Sequence, residues 1–281
     1  FESNAGVALG IAAIGISFSG VILPILVDPL IDWIGWRNVY MVFGLLVIFI
    51  LIPAVRYLVI DSPEEIGQQK DNLSEQPKSM SAFELMDLKD FLKKSIFWVI
   101  SLAFAFQFLA MGGVLLHLPL HSENLGFLGS WSVFGFPIKQ TVFAYSFAAF
   151  GGVIGKVLLG YLMDKLKPNI PVMLMMAMQS LGIFGLTLAT DYSLFIVFCF
   201  VFGLGFGGAM PLMSASFLKA FGPQNLGSVR GISALIIVPV QPVGMVLVGR
   251  AFDLNLYIES FFLMGAITLI GFFIASRIII R

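Results

Sequence analysis

The chain has 281 residues, with sixteen Lys or Arg balanced by sixteen Asp or Glu, so it carries no formal net charge and offers no basic field for nucleic acid. Hydrophobic residues make up 59% of it and charged residues 11%, with 29 Phe and 29 Gly; a soluble domain carries roughly 25% charged residues. That balance excludes a water-soluble globular domain and describes an all-α polytopic membrane protein whose natural partner is the lipid bilayer.

Taken in order, eight apolar runs approach the ~20 residues a helix needs to cross a ~30 Å hydrocarbon core. They are Gly6–Val27, Val39–Ile60, Ile96–Leu116, Thr141–Met163, Pro171–Ala189, Leu194–Leu218, Ile232–Val248 and Ser260–Ser276. An even number places both ends on one side. That side carries twelve of the sixteen Lys and Arg, against Arg37, Lys139 and Arg250 on the other, with Lys156 inside the membrane. The bias predicts cytoplasmic termini and a multi-pass protein of the plasma (inner) membrane. Cys199, the one cysteine, excludes an intrachain disulfide.

The longest polar stretch, Asp61 to Lys94, separates two spans from the six that follow. Its first part is breaker-rich and reads as a solvated linker. From Ser81 the pattern changes: Ser81-Ala-Phe-Glu84 fits a capping box, and Phe83, Leu88, Phe91 and Leu92 share one helical face, predicting a short amphipathic helix on the inner membrane surface. The alternative is a plain solvated loop. The chain begins at Phe1 and shows no basic n-region with a cleavage site, so it is expected to be part of something longer.

Chemistry concentrates in the fourth span. Lys156 stands among small and apolar residues, eight positions before Asp164, which closes Gly160-x-x-x-Asp164-Lys165 at the cytoplasmic exit. At ~1.5 Å per residue this puts Lys156 ~12 Å above that exit, near mid-membrane, where a charge is costly and is usually kept for function. Tyr145, Ala149, Gly152 and Lys156 fall on one helical face that can line a cavity. Gly155 and Gly160 allow close helix neighbours. Asp164 opposes its own helix dipole but suits another helix's N-terminus, and the start of the seventh span at Arg230 and Gly231 is the expected receiver; the alternative is an ordinary helix-end charge at the interface. Gln107 is a polar residue at membrane depth, suited to a ligand or to a neighbouring helix. His117, at the outer end of the third span, either titrates near neutral pH or merely meets water and headgroups. Trp33, Trp36 and Trp131 sit at span ends as interfacial anchors.

Several stretches resemble the major facilitator superfamily. Gly10-Ile-Ala-Ala-Ile-Gly15, Gly20, Pro24 and Gly35-Trp36-Arg37-Asn38-Val39-Tyr40 look like its fifth helix, outer loop and start of its sixth. Ser95-Ile-Phe97-Trp98, Val114-Leu-Leu-His117-Leu-Pro119 and Gly126 resemble the seventh helix of the monocarboxylate-transporter-like branch, and the Lys156–Lys165 stretch resembles its eighth. Gly203-x-Gly205-x-Gly207-Gly208, Phe221-Gly222, Gly227, Gly231 and Gly249-Arg-x-x-Asp253 continue the likeness through helices ten and eleven. Two departures stand out: a lengthened outer loop between Gly126 and Phe136, and Lys167-Pro168 in place of the usual Gly-basic close.

The resemblance implies helices five to twelve of a twelve-helix fold. Residues 1–60 then supply the last two helices of one six-helix half, 61–94 the central linker and 95–281 the other half. It further implies a secondary transporter working by alternating access, Lys156 on the charge of a small organic anion, and a proton as candidate co-substrate. Tyr145, Gln107 and His117 are further candidates for the substrate site, with Gly160, Asp164, Lys165 and Arg230 forming a conformational motif. A receptor that binds a solute without moving it is the rival reading. No His-Glu-x-x-His, Cys-x-x-Cys, Gly-x-Ser-x-Gly or phosphate loop is present, so neither an enzyme, a metal site nor a cofactor is expected.

Overall fold

A computed structural model describes residues 5–58, Gly67, 85–133 and 136–280. It contains eight helical spans long and apolar enough to cross a membrane: Leu9–Ile34, Trp36–Leu58, Ser95–Asn124, Gln140–Lys165, Asn169–Leu188, Tyr192–Phe221, Pro223–Asp253 and Tyr257–Ala275. The number matches the eight apolar runs, and the fold is all-α apart from one small hairpin. Four spans are not single uninterrupted α-helices. The first comprises α1 (Ala5–Ala12) and α2 (Ile14–Ile34); the second is α3 (Trp36–Leu46), a five-residue π-helical segment and α4 (Ile52–Leu58). After the short α5 (Leu88–Lys93) come α6 (Ser95–Asn124), α7 (Gln140–Lys165) and α8 (Asn169–Leu188). The sixth span breaks at Gly208 into α9 (Tyr192–Gly207) and α10 (Ala209–Phe221). The seventh opens with a 3₁₀ turn at Pro223–Asn225 and breaks at Val238–Pro239 between α11 (Leu226–Ile237) and α12 (Val240–Asp253), and α13 (Tyr257–Ala275) ends the chain's helices.

α6 runs two turns beyond the expected end at Leu116. Pro119 removes one backbone donor, a loss membrane helices tolerate, while Leu118, His121 and Ser122 continue the buried face and hold the helix together to Asn124. The lengthened outer loop forms an antiparallel hairpin, β1 (Ser130–Val133) with β2 (Phe136–Lys139), pairing Ser130 with Lys139 and Trp131 with Ile138. Trp131 packs edge-on against Phe143 and Tyr192, and Tyr192 donates its hydroxyl to the Gln140 carbonyl at 2.8 Å, which fixes the hairpin to the starts of α7 and α9. At the Gly35-Trp36-Arg37 turn, Gly35 takes φ 77°, a conformation open to glycine without Cβ strain, and the Arg37 guanidinium stacks over Trp36 at 4.2 Å.

The expected capping box at Ser81–Glu84 and Phe83 lie outside the described residues. The helix that does form there, α5, differs from a surface helix. Phe91 is fully buried, edge-on against Phe221 at 5.5 Å, and the Met86 N–H donates to Asn225 Oδ1 at 3.0 Å. An aromatic ring gains more by leaving water for the protein interior than by resting at a headgroup boundary, so α5 clasps the inner end of α10 and the following turn.

α7 is the most heavily packed helix, and its small residues explain why. A Cβ on Gly151 or Gly155 would strike the α9 backbone at Phe200 or Leu204, and one on Gly203 or Gly207 would strike Ala148 or Gly152 of α7. The two helices therefore touch main chain to main chain, the arrangement by which membrane helices gain van der Waals contact where no hydrophobic effect drives them together. On its other side α7 meets α1 and α2 in the same way: Gly10 lies against the Lys156 carbonyl, and Gly20 against the Ala149 methyl. Gly155→Val is expected to push α9 away and cost about 1–3 kcal/mol, lowering the melting temperature in detergent, whereas Gly15→Ala, with open space beside it, should leave melting unchanged or raise it slightly. Equal melting of the Val variant and the wild type would show that α7 and α9 do not pack this closely.

Candidate functional site

Where α2, α6, α7, α9 and α10 meet, they leave a half-open cavity of about 190 Å³. Lys156 and Tyr145 from α7 both line it, on the face shared with Ala149. Lys156 is 4% exposed. Its ammonium donates a hydrogen bond to Ser17 Oγ of α2, and among the described residues none of the ion pairs includes it. Most of the remaining wall is apolar, including Ile16, Phe108, Met111, Leu115, Phe206 and Met210. One cation in a mostly apolar chamber is suited to a single negative charge on an organic body.

Gln107 and His117 do not line this cavity. Gln107 is fully buried and joined to Gln179 of α8, its Nε2 donating to Gln179 Oε1 at 2.8 Å while Gln179 Nε2 returns a bond to the Gln107 carbonyl at 3.2 Å. That reciprocal pair is helix-to-helix adhesion. His117 lies inside α6 because the helix outlasts its expected end; Nδ1 is 2.8 Å from the Gly113 carbonyl and the ring rests against Phe252 and Gly249 of α12. The more deeply held histidine is His121, which the sequence did not single out. It is fully buried, stacked on Phe261 at 4.1 Å, with Nε2 3.2 Å from the Leu186 carbonyl. Its spacing of four from His117 was the available signal, masked by Pro119 standing between them. Ser17 was missed because an isolated serine in an apolar run carries no pattern of its own.

The two ends of α7 are each tied to the first span. At its C-terminal end Asp164 Oδ2 accepts from the Val7 N–H of α1 at 3.0 Å. The Asp164 carboxylate thus bonds α1, whereas the expected receiver was the start of the seventh span. Arg230 is exposed on α11, where its carbonyl accepts from Ser233 Oγ. Gly160 is buried within α7, and Lys165 is exposed with its Nζ 5.8 Å from the Tyr161 ring centre. Lys219 of α10 reaches across to donate to the Met163 carbonyl, close enough for its charge to attract Asp164. At the outer end Lys139, on the last residue of β2, bonds Asp28 of α2 at 2.8 Å and lies 3.9 Å from Asp32.

Comparison with known proteins accords with this architecture. Residues 2–244 match the family model described as Major Facilitator Superfamily. The chain belongs to the major facilitator superfamily. It is 26% identical over 215 residues to the MFS-type transporter pynF of Aspergillus niger, covering 76% of this chain and 44% of that protein. It is 23% identical over 271 residues to monocarboxylate transporter 4 of Mus musculus, covering 95% of this chain and 55% of that protein. The chain thus spans about half the length of the curated relatives it matches.

This major facilitator chain is an integral, multi-pass membrane protein of a family of transporters that bind small molecules. Within it, the outer tie between Lys139 and Asp28 is electrostatically testable. The hydrogen bond from Asp28 raises the Lys139 pKa above its ordinary 10.5, partly opposed by burial. A raised lysine pKa means the tie contributes fully below pH 10.5 and is lost as the pH climbs through the higher value. With the Lys139 side chain 53% exposed, solvent screening limits the contribution to about 1 kcal/mol or less. A Lys139→Gln, Asp28→Asn double-mutant cycle read by melting should give a coupling of that size at neutral pH. It should shrink in high salt and vanish above the raised pKa; a coupling that persists unchanged there would contradict the ion pair.

Proposed function

We propose that the protein is part of a secondary active transporter for a small, monocarboxylate-like organic anion, with a proton as candidate co-substrate, working by alternating access. The observation that carries this reading is Lys156: a buried cation facing a cavity, with no described carboxylate paired to it. A charge placed at membrane depth is expensive and persists where it has a ligand or a path to serve. On this reading the α2–α7 seam is the boundary between two six-helix halves, residues 1–60 contributing to one, 95–281 forming the other and 61–94 linking them, with both ends cytoplasmic. Transporter sites lie near the midplane between such halves, where Lys156 stands. The likeness to a protein named for monocarboxylates supports the substrate class, and the cavity's single cation supports one carboxylate rather than two. Tyr145 lines the same space and takes part in the site; Gln107 and His117 serve packing. Asp164 acts as a latch, its bond to the α1 start made in one transport state and broken in the other.

Uptake of a panel of labelled monocarboxylates into liposomes bearing the full-length protein tests the reading, since a transporter accumulates solute and a receptor binds it only stoichiometrically. Lys156→Gln should cut uptake by about thirtyfold or more, the cost of removing the partner of a buried charge, while Lys156→Arg keeps part of it; a Gln variant with unchanged affinity and rate would refute the assignment. Asp164→Asn should slow turnover several-fold with substrate binding nearly intact, because the loss falls on one conformation; unchanged turnover would reduce Asp164 to an interfacial charge.

A further inference from the structure

We propose that Ser17 is a second anion-contacting residue, so that the carboxylate is held jointly by the Lys156 ammonium and the Ser17 hydroxyl. This rests on Lys156 being the anion site. Ser17 lines the cavity from α2, is 4% exposed, and accepts a hydrogen bond from Lys156 Nζ at its oxygen. Accepting that bond leaves its own O–H to be donated. Among the described residues it meets no acceptor, whereas the nearby Ser19 hydroxyl donates to the Ile16 carbonyl at 2.8 Å. The hydroxyl lies against Gly152 of α7, where an added Cβ would stand 3.0 Å from Ser17 Oγ.

The electrostatics follow from that arrangement. A cation donating to a hydroxyl oxygen withdraws electron density from it and makes the O–H a stronger donor, so a chain running from ammonium to hydroxyl to carboxylate is cooperative. Of the ammonium's three N–H groups one is spent on Ser17, leaving others for the second carboxylate oxygen. Both oxygens of one carboxylate would thus be served from two helices, α7 and α2, and the rest of the mostly apolar wall would meet the organic body. Because Ser17 and Lys156 stand on opposite sides of the α2–α7 seam, the bound anion also ties the two sides of that seam together.

The test is uptake kinetics of the full-length protein in liposomes with labelled acetate, butyrate, 3-methylbutyrate, pyruvate and lactate. Ser17→Ala is expected to raise KM roughly ten- to hundredfold, the loss of a hydrogen bond to a charged group, with maximal rate within about twofold and the melting temperature unchanged. A purely structural serine would not give that split between affinity and rate. Unchanged KM in Ser17→Ala, with uptake still abolished in Lys156→Gln, overturns the role of Ser17 and leaves the lysine site standing. Loss of both rate and melting temperature in Ser17→Ala also overturns it, assigning the residue to packing against Gly152. No uptake of any of these anions by the wild type, or full uptake by Lys156→Gln, overturns the lysine reading and this inference with it.

Discussion

The close backbone crossings of α7 are the constraint on which the rest depends. Helices in lipid gain little by hiding apolar side chains from one another, because lipid tails are equally apolar, so association requires surfaces that fit. Gly151 and Gly155 open one face of α7 to α9, while Ala149, Gly152 and the Lys156 carbonyl meet Gly20, Ser17 and Gly10 on the other. Wide side chains at these positions would hold the helices apart. With them small, Lys156 is drawn into an interface instead of being left to reach for the headgroups, and the cavity opens beside it.

A lysine so placed must still have its charge solvated. The Ser17 oxygen supplies one polar contact, and the small cavity supplies space for a counter-charge brought from outside. Gln107 and Gln179 are handled differently: they bond each other across α6 and α8, and Ser180 donates to the Gly265 carbonyl at 3.0 Å. What sets the proposed site apart is a buried cation that lines a cavity. Asp164 with Val7 at one end of the seam and Lys139 with Asp28 at the other bracket that site between two polar contacts.

Much of the architecture was legible in the chain. Runs of apolar residues of bilayer length reveal eight spans whatever their neighbours, because the demand that backbone groups be satisfied internally acts on each span alone. The face that Lys156 shares with Tyr145 follows from helical periodicity, which is equally local. The outer hairpin was visible only as an unusually long loop, since strand pairing between Trp131 and Ile138 depends on which partner is near. His117 was expected at a helix end because the apolar run closes at Leu116, whereas buried packing around Leu118 and His121 carries α6 on to Asn124.

What the sequence by itself determined was the membrane character, the number of spans and the likeness to the major facilitator superfamily, all consequences of composition, length and local period. Only the tertiary structure decided which groups meet: that Ser17 bonds Lys156, that Gln107 bonds Gln179, that Asp164 bonds α1, and that Phe91 turns inward onto Phe221. The physical reason is that each of these contacts joins residues far apart in the chain. A partner across a helix interface is chosen by how two surfaces pack, and no property of either residue's own neighbourhood records that choice.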